Sequence, residues 1–409
     1  MKVLVINSSP KLDYRGRLLN ALGDTDLIRA KPQYTDKLDD GNILDKISGL
    51  KPLPDGCLII VNDHDRSTPT VRIVKLLREA GILVHPATFI LATGTHAPTP
   101  GETAWKISGA ESKDTLLVHN AGDEAQLVSA GKTSRGTEVV VNHALKSAKQ
   151  VFTINGVEPH YFAGFTGGVK SLVPGLASKK TTAQNHRWAM DPGARIMHTT
   201  DNPLHEDLWE AANLAFSTQE VTTVQLVNHG SDILFVSAGF LRPAFESAKD
   251  AATRVYGLGL QERVDRIVSI VESPLDHTLY QAQKAMENAK HVLRDGGTFI
   301  LVATCDQGIG TAAFFKRLQA LGTPENVLKS LSFEDYQFGD HKAFYWAELA
   351  KRVELLYTGD LPQDVINSTF MRKVTVGDLV TLVNLWKSQG DRILLDEAGG
   401  YSAVYLQGN

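Results

Sequence analysis

Short apolar runs of strand length alternate with amphipathic helical stretches along most of this chain, and that rhythm constrains its fold more than any other feature. MKVLVIN at the start, GCLIIVND (56–63), FILATG (89–94), TLLVHN (115–120), TEVVVN (137–142) and QVFTING (150–156) read as strands. Residues 71–80 carry apolar positions at helical spacing, and 241–257 does the same. A turn-rich joint, GLGLQERVD (257–265), interrupts the pattern. Beyond it the alternation is regular: strand RIVSIV, helix 277–293, strand TFILVATC, helices 311–321 and 341–352, strand VELLYTG, helix 375–389 and strand RILLD. Parallel strands need a crossover connection, usually a helix, so this rhythm predicts α/β architecture with mostly parallel sheets flanked by helices. At roughly 100–200 residues per domain, 409 residues make two, and the joint places them at 1–260 and 261–409.

Composition narrows the class. Hydrophobic residues are 43% and charged residues 22%, enough for sizeable cores and far from a disordered chain. Lys+Arg is 42 against Asp+Glu 46, and no basic cluster suggests a nucleic acid or an anionic membrane as partner. No apolar run approaches the ~20 residues of a membrane span, and the amino end lacks the three-part organisation of a secretory signal. The two cysteines, Cys57 and Cys305, stand in unrelated apolar segments, which excludes a disulfide framework and a CxxC metal knuckle. A reducing, cytoplasmic location is the expectation.

Polar chemistry gathers at the ends of predicted strands, where open α/β sheets bind ligands. DHDRSTPT (63–70) follows one strand, and ATGTHAPTPGE (92–102) places His96 at the mouth of the next. The densest segment runs from Asn155 to His186, with four glycines between 156 and 168, two histidines and Lys170. Gly164, Gly167 and Gly168 allow close backbone approach, and such loops can cradle phosphate through backbone N–H groups. Val169 separates Gly168 from Lys170, so the segment is not a standard P-loop. None of the 13 histidines forms HExxH, HxH or HxxxH, so no standard zinc site is encoded locally. His85, His143, His198, His229 and His291 lack a supporting pattern and read as structural. CDQGIGT (305–311) is a weak GxGxxA match that reads equally as a tight strand-to-helix turn. Gln281 and Lys284 share one helical face, with Tyr280 opening the same turn.

DHDRSTPT, GTHAPTPGE, PHYFAGFTGGVKS, the Asn185–His186 pair and DNPLHED (201–207), followed by LYQAQKA, CDQGIG and GDHKA, resemble the nickel-pincer lactate racemase family in content, order and spacing. The resemblance implies a racemase or epimerase of 2-hydroxy acids whose active site lies in an interdomain cleft. Residues 1–260 would bind the cofactor and 261–409 would close over the substrate. The cofactor it implies is a nickel pincer nucleotide, a pyridinium-3-thioamide-5-thiocarboxylic acid mononucleotide holding Ni(II), tethered to Lys170. His186 matches the metal ligand, and His96 and His160 the catalytic acid/base pair. Asp63 and Arg66 match a cofactor- and substrate-contacting motif, with Gly167 and Gly168 in the cofactor loop. Gln281 and Lys284 match a substrate-facing polar pair, Tyr280 at the start of the same turn is expected to bind substrate with them, and Trp346 is either a wall of the substrate pocket or a core residue. The implied partners are a small 2-hydroxy acid and cofactor-synthesis proteins. Soft sulfur and imidazole donors in a square-planar array suit Ni(II), and two histidines near neutral pKa suit proton transfer on two faces. The residues alone leave two alternatives: a sugar-phosphate or nucleotide binding protein using the glycine loop, and a nicotinamide-dependent dehydrogenase using CDQGIGT.

Overall fold

The computed structural model describes residues 13–23, 26–34, 37–84 and 86–407. The strand expected at MKVLVIN and His85 lie outside the described residues. The chain divides into two units: residues 33–255 form one, and the rest, on both sides of that stretch, form the other. The division therefore falls at 255/256, and the described residues 13–32 belong with the carboxyl-terminal half, not with the unit they precede in sequence. The physical reason is strand pairing. Ile28–Ala30 runs parallel to Ile393–Gly399, with Ile28 opposite Leu394 and Ala30 opposite Asp396.

The unit at 33–255 is built on a six-stranded sheet in the order 232–240, 222–229, 150–156, 57–62, 88–92 and 115–118. Every pairing is parallel except the edge hairpin of Thr222–His229 with Asp232–Phe240. In Cys57–Asn62 every residue but the last is buried, as expected for a central strand covered on both faces. Helix Thr70–Glu79 turns Ile73, Val74, Leu76 and Leu77 inward, where they pack with Ile59, Val61, Phe89 and Phe152. Each fully buried aliphatic side chain of this kind contributes roughly 1.5–3 kcal/mol of transfer free energy. The segment TEVVVN forms a strand, Glu138–Asn142, but pairs antiparallel with Leu127–Lys132 outside the main sheet.

Among its described residues the other unit holds a fully parallel six-stranded sheet in the order 28–30, 393–399, 264–271, 293–302, 354–358 and 372–373. Side chains alternate across it with the two-residue period of a strand. Phe299, Leu301 and Tyr357 enter one core, shared with Leu279, Met286, Phe314 and Trp346. Ile300, Val302 and Leu356 enter the opposite core, shared with Leu18, Leu22, Leu379 and Trp386. Helices cover both faces, so both sequence-predicted sheets are doubly covered α/β layers. Cys57 and Cys305 are free and buried. Among the described residues no helix is long and apolar enough to cross a membrane.

Candidate active site

In the unit at 33–255, parallel pairing puts Asn62 opposite Ala92, so the residues after these two strands emerge side by side. Asp63 is buried, and its Oδ2 lies 2.7 Å from His96 Nδ1; Asp65 Oδ2 is 3.2 Å from the same nitrogen. His96 therefore donates Nδ1–H to a carboxylate and keeps its lone pair on Nε2, with the ring partly exposed. Asp63, Asp65 and His96 are also spaced closely enough to share a cation. That donor set is rich in hard oxygens and does not resemble a soft-ligand nickel site. Arg66 Nη1 bonds Glu158 Oε1 at 3.0 Å, and a guanidinium has five N–H donors to place.

The segment 159–186 places three further groups around one aromatic ring. His160 lies edge-on to Phe162 at 4.4 Å, His186 does so at 5.1 Å, and Lys170 Nζ stands 5.8 Å over the same ring. His160 Nδ1 accepts the Ala163 backbone N–H at 3.3 Å, which leaves the proton of the neutral ring on Nε2. His186 ends helix Lys179–His186, capped by Ser178, and is buried. Burial, then the Lys170 ammonium, pushes its pKa down to about 3, so the imidazole is neutral and able to ligate a metal.

The glycine loop behaves differently from a free phosphate cradle. The Gly168 N–H already donates to Gln225 Oε1 at 3.0 Å, and the Lys170 N–H to the Gly167 carbonyl at 3.0 Å. Gly167 and Gly168 have φ of +75° and +54°, and a Cβ would meet Val157 Cγ2 at 2.6 Å and the Phe245 ring at 3.0 Å respectively. Close packing and left-handed backbone thus explain both glycines. Orphaned polar atoms remain beside the loop: Asn155 Oδ1, Ser171 Oγ and Asn185 Oδ1 are buried without a hydrogen-bond partner among the described residues. Such atoms are rare in finished cores and call for an explanation, which a polar guest would supply. With a neutral imidazole at 186 and an amine at 170, the residues fit a tethered, nickel-bearing nucleotide.

In the other unit, helix Leu279–Ala289 presents Tyr280, Gln281 and Lys284, all partly exposed. CDQGIGT serves this helix: the carbonyls of Gly308 and Ile309 accept from the N–H groups of Leu279 and Tyr280, each at 3.0 Å. Gly310, at φ +76°, brings the turn so near that a Cβ would meet those of Thr278 and Tyr280 at 3.0 Å. The turn is therefore a docking clip for Tyr280 and not a dinucleotide fingerprint. Lys342 donates to the Tyr280 carbonyl at 3.0 Å from beneath, and burial followed by the Lys284 charge lowers its pKa to about 7. Trp346 is fully buried, stacks on Phe314 at 5.7 Å and donates its indole N–H to the Thr369 carbonyl at 2.6 Å. Of its two sequence readings, the structure supports the core residue and not the pocket wall. Sequence reasoning missed Glu158 and Gln225. The signal for Gln225 was present, as a polar residue inside the apolar run VTTVQLVN.

Comparison with known proteins adds independent findings. Residues 50–197 match the family model of the lactate racemase N-terminal domain, and 264–357 that of the lactate racemase C-terminal domain, together more than half of the chain. A lactate racemase of Lactiplantibacillus plantarum is 29% identical over 294 residues, covering 69% of this chain and 68% of that protein. One from Thermoanaerobacterium thermosaccharolyticum is 27% identical over 289 residues, covering 67% and 66%. Among solved structures, the lactate racemase apoprotein of T. thermosaccharolyticum superposes with a TM-score of 0.77 at 22% identity, covering 96% of this chain and 93% of that one. A Thermotoga maritima protein superposes with a TM-score of 0.68 at 18% identity, covering 92% and 100%.

Proposed function

This chain belongs to the lactate racemase family, and from that premise we propose that it inverts C2 of a 2-hydroxy acid by hydride transfer, with a nickel pincer nucleotide tethered to Lys170. The observation that carries the reading is the grouping of Lys170, His186 and His160 around Phe162, with His186 held neutral by burial. When bound, the nucleotide supplies an acceptor and donor of hydride.

The chain's own residues do the rest. Arg66 binds the substrate carboxylate as a planar fork. His96 Nε2 takes the hydroxyl proton of one enantiomer while Asp63 steadies the imidazolium through Nδ1–H. His160 serves the other face. Its lone pair is on Nδ1, so it gains a proton there as the Ala163 N–H is released. Removing C2–H as hydride avoids a carbanion beside a carboxylate. It leaves a planar 2-keto acid whose opposite face can receive the hydride. Lys170 holds the cofactor covalently, and loading requires cells able to build it.

A substrate deuterated at C2 tests the mechanism. Hydride transfer keeps most of the label in the inverted product in ordinary water, slows turnover and releases traces of 2-keto acid. Complete washout in the first turnover, with no keto acid on quenching, would move this chain to proton-abstraction chemistry. Peptide mapping of the loaded protein checks the tether independently, and an adduct on Lys179 or Lys284 would refute Lys170.

A further inference from the structure

Helix Pro203–Ala215 carries none of the reacting groups assigned above, yet its polar residues face the segments that do. Its N-cap, Asn202, accepts the His205 N–H through Oδ1 at 3.1 Å, which is all that capping requires. Nδ2 reaches beyond the helix. It donates to the Phe162 carbonyl at 2.8 Å and the His198 carbonyl at 2.9 Å. The Phe162 carbonyl shares a peptide plane with the Ala163 N–H, the donor to His160 Nδ1. Asn202 thus holds one end of the peptide unit whose other end orients His160.

His205, one turn along, repeats the arrangement. Its Nδ1–H donates to the Ala163 carbonyl at 3.0 Å, and its Nε2 accepts the Trp209 indole N–H at 2.9 Å. Burial, above all, pushes its pKa down to about 4, which keeps the ring neutral. With both nitrogens engaged, His205 is neither a base nor a metal ligand. Asp207 faces a different segment. Wholly buried, it accepts from Thr133 Oγ1 at 2.6 Å, Thr137 Oγ1 at 2.8 Å and Asn185 Nδ2 at 2.8 Å. Asn185 immediately precedes His186. Buried polar networks of this kind stabilise less than an apolar core would, and they specify position.

We propose that helix Pro203–Ala215 is the positioning element of the site, with Asn202 and His205 setting the His160 turn and Asp207 setting the helix end that bears His186. One rigid helix then fixes the spacing between the base and the metal ligand. The assignment rests on the roles given to His160 and His186 above. Asn202, His205 and Asp207 are positioning residues, since none touches a reacting atom.

Asn202→Ser keeps a side-chain oxygen for the cap and loses the reach to Phe162, so the helix survives and the contact does not. Asp207→Asn weakens the hold on Asn185 and on the Thr133 and Thr137 hydroxyls, and leaves the Asn202–Phe162 contact in place. In apo protein labelled with ¹⁵N-histidine, His160 should show an unprotonated Nδ1. Asn202→Ser should shift those ring signals and Asp207→Asn should not. In loaded protein, Asn202→Ser should retain nickel through dialysis against a chelator while kcat falls about 10- to 100-fold with KM little changed. Asp207→Asn should instead lose nickel. His205→Asn, which keeps a donor near the Nδ1 position, should preserve more activity than His205→Leu. Two results overturn the proposal: unchanged His160 ring signals in Asn202→Ser, or nickel content and kcat falling in parallel with thermal stability in both variants. Should the wild-type protein bind no nickel, the functional reading fails, while the apo histidine signals still decide whether Asn202 orients His160.

Discussion

His96 and His160 both follow strands of one sheet, yet their rings are mounted on opposite kinds of partner. His96 leans on the Asp63 carboxylate, contributed by the neighbouring strand end. His160 leans on a backbone N–H of its own turn. A carboxylate favours the imidazolium and presents Nε2 as a base. A backbone donor at Nδ1 demands a lone pair there and opposes a second proton. The two faces of an inverting substrate are mirror images, but the two groups proposed to serve them are not. Thermodynamics limits how this asymmetry can appear. For a substrate with a single stereocentre the equilibrium constant is 1, so kcat/KM must be equal in both directions for every variant. The difference between the mounts can show only in kcat and KM taken separately, and in pH dependence.

The largest expected effect comes from removing either ring. His96→Ala and His160→Ala should each keep nickel and lose at least ~100-fold in kcat/KM, equally in both directions. Their separate kcat and KM values should differ between enantiomers, and in opposite senses for the two variants. Steady-state kinetics from each enantiomer measures this, and the same pattern from both variants would erase the distinction between the mounts.

A smaller effect should follow from Asp63→Asn, which leaves His96 in place and removes the carboxylate behind it. A loss of about 10- to 100-fold is expected, on the scale of partners that orient a catalytic or ligating ring. Steady-state kinetics measures it, and a smaller loss would mean that Asp65, also within reach of His96 Nδ1, is the partner that matters.

The smallest effect concerns acid. Behind the His160 turn stands His205, whose folded pKa of about 4 lies below its ordinary value because the ring is buried. Between the unfolded value near 6.5 and about 4, the unfolded chain binds a proton that the folded chain refuses. Stability is therefore fully present above pH ~6.5 and is lost as pH falls toward 4. His119, likewise lowered by burial, adds to the same slope. Thermal midpoints between pH 7 and 4.5 should decline less steeply in His205→Asn than in wild type. An equal slope would place the acid sensitivity elsewhere.

The strands and helices of the parallel layers were legible because each combines a local apolar period with a turn at its end. Cys57–Asn62 and helix Thr70–Glu79 fall within a residue or so of their expected limits. The strand-end groups Asp63, Arg66 and His96 were legible for the same reason, since parallel strands carry their loops to one edge. The hairpin Thr222–His229 with Asp232–Phe240 was not. Its apolar pattern is broken by Thr223 and Gln225, which face a buried network with Thr153 and the Gly168 N–H. Those residues are polar because of what lies across from them; a local window shows Gln225 as a polar break in the run but not its partners. DNPLHED announces a helix start through Asn202 and Pro203, but nothing in it says which loops its side chains reach. CDQGIGT left two readings open, of which the tight turn is the one seen: its glycines serve the approach of two backbones, which looks the same in sequence as the approach of a backbone to a phosphate.

The pairing of Ile28–Ala30 with Ile393–Gly399 bears on the order in which the molecule is finished. A ribosome delivers the whole of 33–255 between those two strands. That stretch can complete its own sheet as it emerges, because every strand in it is already present. The other sheet cannot. Among the described residues its edge strand, Ile28–Ala30, is made before 33–255 and its partner after it, and contacts that distant in sequence are slow to close. A fragment ending before residue 393 would hold a finished 33–255 unit beside an exposed strand edge. Aggregation of truncated chains should therefore begin in the unit that the ribosome completes last.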